Sequence, residues 1–129
     1  MSQGISKKLQ DEVDKFKQAQ KEYHKALNKR QQLDGQLNEN TTVKEELDLL
    51  KAENDVYKLI GPVLVKQDLE EAKQNIAKRM SYISSELKRT DDLISTLDKK
   101  QETLRANLEK LQQTFQQQQQ QQQQRKTKA

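Results

Sequence analysis

The stretch Val56–Gln67, VYKLIGPVLVKQ, differs from everything around it. It holds the only proline of the 129 residues and a concentration of β-branched side chains, in a chain otherwise crowded with Gln, Lys, Glu and Leu. Val56–Ile60 reads as a strand, Gly61-Pro62 as a tight turn and Val63–Gln67 as the returning strand. Glycine supplies the positive φ of the first turn position and proline's fixed φ suits the second, as in a type II′ hairpin. A two-residue loop sets Ile60 opposite Val63, Leu59 opposite Leu64 and Lys58 opposite Val65. One side then presents Val56, Ile60, Val63 and Val65, and the other Tyr57, Leu59 and Leu64. Both sides are apolar.

A lone two-stranded hairpin is at best marginal in water, and one with two apolar faces and open edges is an aggregation hazard. It must be covered. Two helices of the same chain cannot easily cover both faces and both edges, so the economical solution is for hairpins of several chains to join in a larger sheet or barrel. The stretch therefore reads as an assembly module.

On its C-terminal side, Leu69, Ile76, Ile83, Thr90, Leu97, Leu104 and Leu111 fall at every seventh position. Met80, Leu87, Ile94, Gln101, Leu108 and Phe115 form a second line, all but the last lying three residues before the next member of the first. This is the 3-4 spacing of a coiled-coil seam, and it predicts a helix over about 69–115, roughly 70 Å long at 1.5 Å per residue. On the N-terminal side, Leu9, Phe16, Tyr23 and Leu37 share one heptad line, with Ile5, Ala19, Ala26, Leu33 and Leu47 beside it. Glu12, Arg30 and Asn40 interrupt these lines, and Val13 and Leu27 widen the stripe. The pattern predicts a helix over about 5–52, ended by the turn residues Ala52–Asp55. Gly35 costs about 1 kcal/mol relative to alanine in a helix interior, and Asn38–Thr42 offers a restart with Thr42 and Glu45 spaced as a capping box. A continuous and a broken first helix both fit.

The two stripes are nearly equal in length, as a chain folding back on itself requires. The fold class is mostly α: an antiparallel two-helix coiled-coil arm with one central β-hairpin over about 55–67. The open end brings Ile5 and Leu9 near Leu108, Leu111 and Phe115. Residues 1–115 form one domain, and 116–129 a low-complexity Gln-rich basic tail, expected as disorder or as a frayed extension of the second helix.

Composition narrows the function. With 31% hydrophobic and 34% charged residues, a thick globular core cannot form. The chain lacks cysteine, which removes disulfides, thiol catalysis and cysteine-ligated metal sites. Of the formal net charge of +4, Arg125, Lys126 and Lys128 account for +3. The nearly neutral remainder has no basic stripe for phosphates, so no nucleic-acid partner is expected. No apolar run reaches the roughly 18 residues of a membrane span, and the N-terminus does not read as a secretory signal. A soluble intracellular protein without a membrane partner is expected.

His24 is the only histidine and has no ligand-type neighbour set. Asp91-Asp92 and Glu70-Glu71 lie on exposed helix faces without a pocket. Gly4, Gly35 and Gly61 are too far apart for a phosphate-cradling loop, and no Gly-Lys-Ser/Thr sequence occurs. The expectation is no catalytic residue, no metal and no cofactor. A coiled-coil scaffold or tether is the alternative from a structural class.

The segments ENTTVKEELDLL from Glu39, VYKLIGPVLVKQDLEEAK from Val56 and KRMSYISSELKR from Lys78 resemble the β class of prefoldin subunits, over nearly the whole chain to about Phe115. The single hairpin is the mark of that class. The resemblance implies a chaperone hexamer of α- and β-type subunits whose hairpins form a β-barrel platform from which coiled-coil arms project. It further implies that non-native clients such as actin and tubulin are held at the arm tips and passed to the cytosolic chaperonin, without nucleotide hydrolysis, in the cytoplasm. Carried onto this chain, the platform role falls on Val56, Tyr57, Leu59, Ile60, Gly61, Pro62, Val63, Leu64 and Val65. The client role falls on Ile5, Leu9, Leu108, Leu111 and Phe115. The glutamines beyond Phe115 depart from the family pattern.

Overall fold

The computed structural model describes residues 2–128. The elements run α1 (Ser2–Leu49), β1 (Val56–Ile60), β2 (Val63–Gln67) and α2 (Leu69–Lys128). They divide between two compact units: one holds Asn28–Asp91, and the other pairs the residues up to Leu27 with those from Asp92 onward.

Burial follows the heptad. In α1 the buried positions are Ala19, Ala26, Leu33, Asn40 and Leu47, each seven residues from the next; in α2 they include Ile83, Thr90, Leu97 and Leu104, again at intervals of seven. The second line of α2, from Met80 through Phe115, is half-buried throughout. This is the narrow buried stripe of a coiled-coil seam rather than a wide globular face. Leu27, expected to widen the stripe, is 38% exposed and lies outside it, whereas Val13 is half-buried.

Within the Asn28–Asp91 unit, α1 and α2 are tied by Lys29 to Glu86 at 3.6 Å and by Arg30 to Asp91 at 2.5 Å. Arg30 also donates to Asp34 at 2.7 Å. The Arg30 guanidinium is thereby held above its ordinary range, first by the hydrogen bond to Asp91 and then by the charge of Asp34. Arg30 thus interrupts the apolar line only by exchanging packing for a cross-helix ion pair.

In the other unit the Phe16 ring lies under the Arg105 guanidinium, 5.8 Å from its carbon to the ring centroid. That distance is within reach of a cation–π attraction.

The first helix is continuous across Asn38–Thr42. The polar side chains there turn back on their own helix: Asn40 Nδ2 donates to the Gln36 carbonyl at 2.7 Å, Thr41 Oγ1 to Leu37 at 2.8 Å and Thr42 Oγ1 to Asn38 at 3.1 Å. Thr42 spends its hydroxyl on this bond, within a helix that needs no new start. The helix ends at Leu49, three residues before the expected 52, where Leu50 N–H bonds the Leu47 carbonyl and tightens the last turn. Asn54 then closes the connection, its side chain accepting from Lys51 N–H at 2.7 Å and its own N–H donating to the Lys51 carbonyl at 2.9 Å.

The second helix starts at Leu69, where the heptad begins. Asp68 caps it, its Oδ2 accepting from Glu71 N–H at 3.3 Å, and Glu70 and Glu71 place negative charge at the positive end of the helix dipole. Of the two readings of the segment after 115, disorder or an extension of the second helix, the structure has the extension, because α2 continues through Gln116–Gln124 to Lys128. Glutamine has good helix propensity, and no glycine or proline follows Phe115 to stop a helix already nucleated.

Candidate functional site

β1 and β2 form a two-stranded antiparallel sheet with Val56 opposite Gln67, Tyr57 opposite Lys66, Lys58 opposite Val65, Leu59 opposite Leu64 and Ile60 opposite Val63. This is the register expected from a two-residue loop. Gly61 takes φ +57° and, among the described residues, no non-glycine has positive φ, so Pro62 is negative. That sign pattern matches type II′ and excludes type I′, which needs positive φ at both central positions.

Register and pleat place Tyr57, Leu59, Leu64 and Lys66 on one face, and Val56, Lys58, Ile60, Val63, Val65 and Gln67 on the other. Neither face is covered. Leu59 is 67% exposed, Leu64 65%, Val63 57% and Ile60 55%, and Tyr57 and Val65 are exposed as well. With only two strands, each also keeps one edge unpaired. Covering what remains open of the sheet's four most exposed aliphatic side chains would contribute on the order of 5 kcal/mol, comparable to the net stability of a small domain.

Behind the sheet, in the same unit, is a cleft of about 260 Å³ between the hairpin and the two helices. Val43 and Leu47 of α1 and Ala72 and Ile76 of α2 form its apolar wall, and Lys58 and Arg79 are the charged residues that line it. This cleft was not read from the sequence. The signal available was Val43, an apolar residue off the heptad lines, now 41% exposed.

The residues expected at the open end lie in the other unit. Ile5 and Leu9 of α1 and Leu108, Leu111 and Phe115 of α2 are each half-buried. A groove of about 570 Å³ runs between these helix segments, with Lys8, Glu12 and Lys15 on one wall and Lys110, Leu111 and Thr114 on the other. The groove brings the turn around Leu9 against the turn around Leu111. Of the five residues, only Leu111 lines it.

His24 is exposed and packs edge-on against the neighbouring Tyr23 ring at 6.0 Å. Among the described residues, no group of three or more His, Asp or Glu side chains is placed to hold a metal ion. Nor, among them, is any helix long and apolar enough to cross a membrane.

A helical pair carrying one central hairpin with bare apolar faces is the feature that comparison with known proteins can decide. The profile of the prefoldin subunit family matches residues 10–122. The chain belongs to the prefoldin family. It is 49% identical over 116 residues to prefoldin subunit 6 of Mus musculus, covering 90% of this chain and 91% of the mouse protein. It is 45% identical over 115 residues to the probable prefoldin subunit 6 of Drosophila melanogaster, covering 89% and 92% of the two chains. Among solved structures, the prefoldin beta subunit from Thermococcus strain KS-1 superposes with a TM-score of 0.72, covering 80% of this chain and 90% of that one. At 18% identity this last likeness shows the fold: two long helices joined through an antiparallel hairpin, as in a prefoldin β-type subunit.

Proposed function

We propose that this chain is the β-type arm of a hetero-hexameric prefoldin co-chaperone, assembled with α- and β-type subunits through its hairpin. The observation that carries this reading is the bare two-stranded sheet, whose six exposed apolar side chains and two free edges need other strands to cover them. Residues Val56–Val65 are the platform segment, with Gly61-Pro62 holding the register that sets which side chains face each neighbour.

Non-native proteins such as actin and tubulin are held at the coiled-coil tip, where Ile5, Leu9, Leu108, Leu111 and Phe115 offer small, half-covered apolar surfaces. Each such contact is weak. Several tips acting on one client give avidity while leaving each contact easy to release, which suits delivery to the cytosolic chaperonin. The chain works by holding, without nucleotide hydrolysis, in the cytoplasm, a reading that its membership of the prefoldin family supports. Domain limits follow the same reading: 1–115 is the body of the prefoldin β-type domain and 116–129 a Gln-rich basic segment, into which the family match runs as far as residue 122.

Light scattering of denatured actin diluted into buffer tests the holding function. The complete hexamer containing this chain suppresses aggregation. Replacing Leu108, Leu111 and Phe115 by serine weakens that suppression and leaves the hexamer mass unchanged. Equal suppression by the variant hexamer would remove the client role from these residues.

A further inference from the structure

The cleft behind the hairpin has a chemistry that bare apolar exposure does not account for. Its wall is apolar, from Val43, Leu47, Val56 and Ile76, while its charged lining is Lys58 and Arg79, with no acidic residue. Both cations are exposed, and neither makes a salt bridge with any described residue, in contrast to Lys66, whose ammonium lies 3.3 Å from Asp55. On α2 the positions a turn away from Arg79 are Asn75, Ile76, Tyr82 and Ile83, none of them acidic. Across the sheet Lys58 faces Val65. Two uncompensated positive charges therefore border an apolar recess that is continuous with the uncovered sheet, since Val56, Tyr57 and Leu59 line both.

We propose that this cleft receives a segment of the adjacent α-type prefoldin subunit carrying an apolar side chain flanked by carboxylates, and that Lys58 and Arg79 thereby select which subunit sits beside this chain. The inference rests on the assembly reading above and adds to it a specificity device. Bare apolar faces favour burial against almost any apolar surface, because the hydrophobic effect is non-directional. Discrimination among similar subunits needs a term that penalises the wrong one, and two unpaired cations beside an apolar recess supply it: a neighbour with lysine there is repelled, and one with only apolar side chains leaves them partly desolvated and unpaired. Arg79 adds a planar fork suited to bidentate binding of a carboxylate.

Competition during assembly tests this. An α-type prefoldin partner is co-expressed with equal amounts of the untagged wild-type chain and a tagged variant, and the share of each in the purified hexamer is measured by mass spectrometry. The double reversal K58E/R79E is expected to be depleted about tenfold relative to wild type, and K58A/R79A less so, with the depletion of both shrinking as salt is raised. K44E/K88E makes the same charge change at exposed positions outside the cleft and is expected to enter like wild type. Unchanged helical circular dichroism of each variant excludes misfolding as the cause. Incorporation of K58E/R79E at the wild-type level would overturn the proposal, as would equal depletion of K44E/K88E. Failure of the underlying assembly reading looks different: the hairpin variant with Leu59, Ile60, Val63 and Leu64 changed to serine would then assemble normally.

Discussion

Gly61 sits at φ +57°, a conformation that costs an L-residue about 1 kcal/mol or more, while a Cβ there would meet no atom within 4 Å. The cost of Gly61→Ala is therefore conformational rather than steric. We expect this variant to fold its helices normally and to assemble about fivefold less well, measured as hexamer yield at fixed subunit concentration. Asn40 makes the opposite case. It is 8% exposed on the buried heptad line, and its amide is satisfied only by its own helix. Asn40→Leu should raise the stability of the isolated chain by about 1 kcal/mol in urea unfolding, with some loss of register specificity. For Arg30, a raised guanidinium pKa adds stability that is fully present below its unfolded value and is lost only as pH rises beyond it. Its own titration accordingly gives no pH dependence between pH 6 and 9, within the precision of a thermal melt.

At the scale of elements, the heptad positions and the hairpin register were legible because both depend on spacing that the sequence prints directly. Ile83, Leu97 and Leu104 are buried where the period of seven puts them, and the Ile60–Val63 pairing follows from Gly61-Pro62. Polar side chains were less legible than apolar ones. Asn38–Thr42 fits both a continuous and a broken helix, and the structure decides for the continuous one, because Asn40, Thr41 and Thr42 each bond the carbonyl four residues back. The Asp68 cap is available in Asp-x-x-Glu ahead of the heptads, and the glutamine run, whose composition allows disorder or a helical extension, is helical because nothing in it breaks a helix. Stability should track the seam and not the sheet. Leu104→Ala is expected to cost about 2–4 kcal/mol in the isolated chain, and Leu59→Ala close to nothing, because Leu104 is 8% exposed and Leu59 67%. Equal losses in urea titrations would show that the hairpin is already packed in the monomer. Gln120→Pro should remove ellipticity from the last helical turns and leave hexamer assembly intact.

For the molecule as a whole, the sequence supports the fold more fully than the site. Family membership extends over residues 10–122, and the fold is shared with a prefoldin beta subunit at only 18% identity. Such divergence is tolerated because a seam needs only apolar residues at the right period, whereas a subunit's place among its neighbours depends on individual surface side chains. On the function proposed, those residues are the exposed sheet faces and the Lys58 and Arg79 cleft. Folding and assembly on that reading fall to different residues: the buried heptad positions hold the chain's own helices, and the exposed sheet faces are left for its neighbours. The most direct test is the mass of the particle formed on co-expression with an α-type prefoldin partner, for the wild type and for the chain with Leu59, Ile60, Val63 and Leu64 changed to serine. The account predicts a hexamer for the wild type and an unassembled variant with unchanged helical circular dichroism; a variant that enters the hexamer at the wild-type level would contradict it.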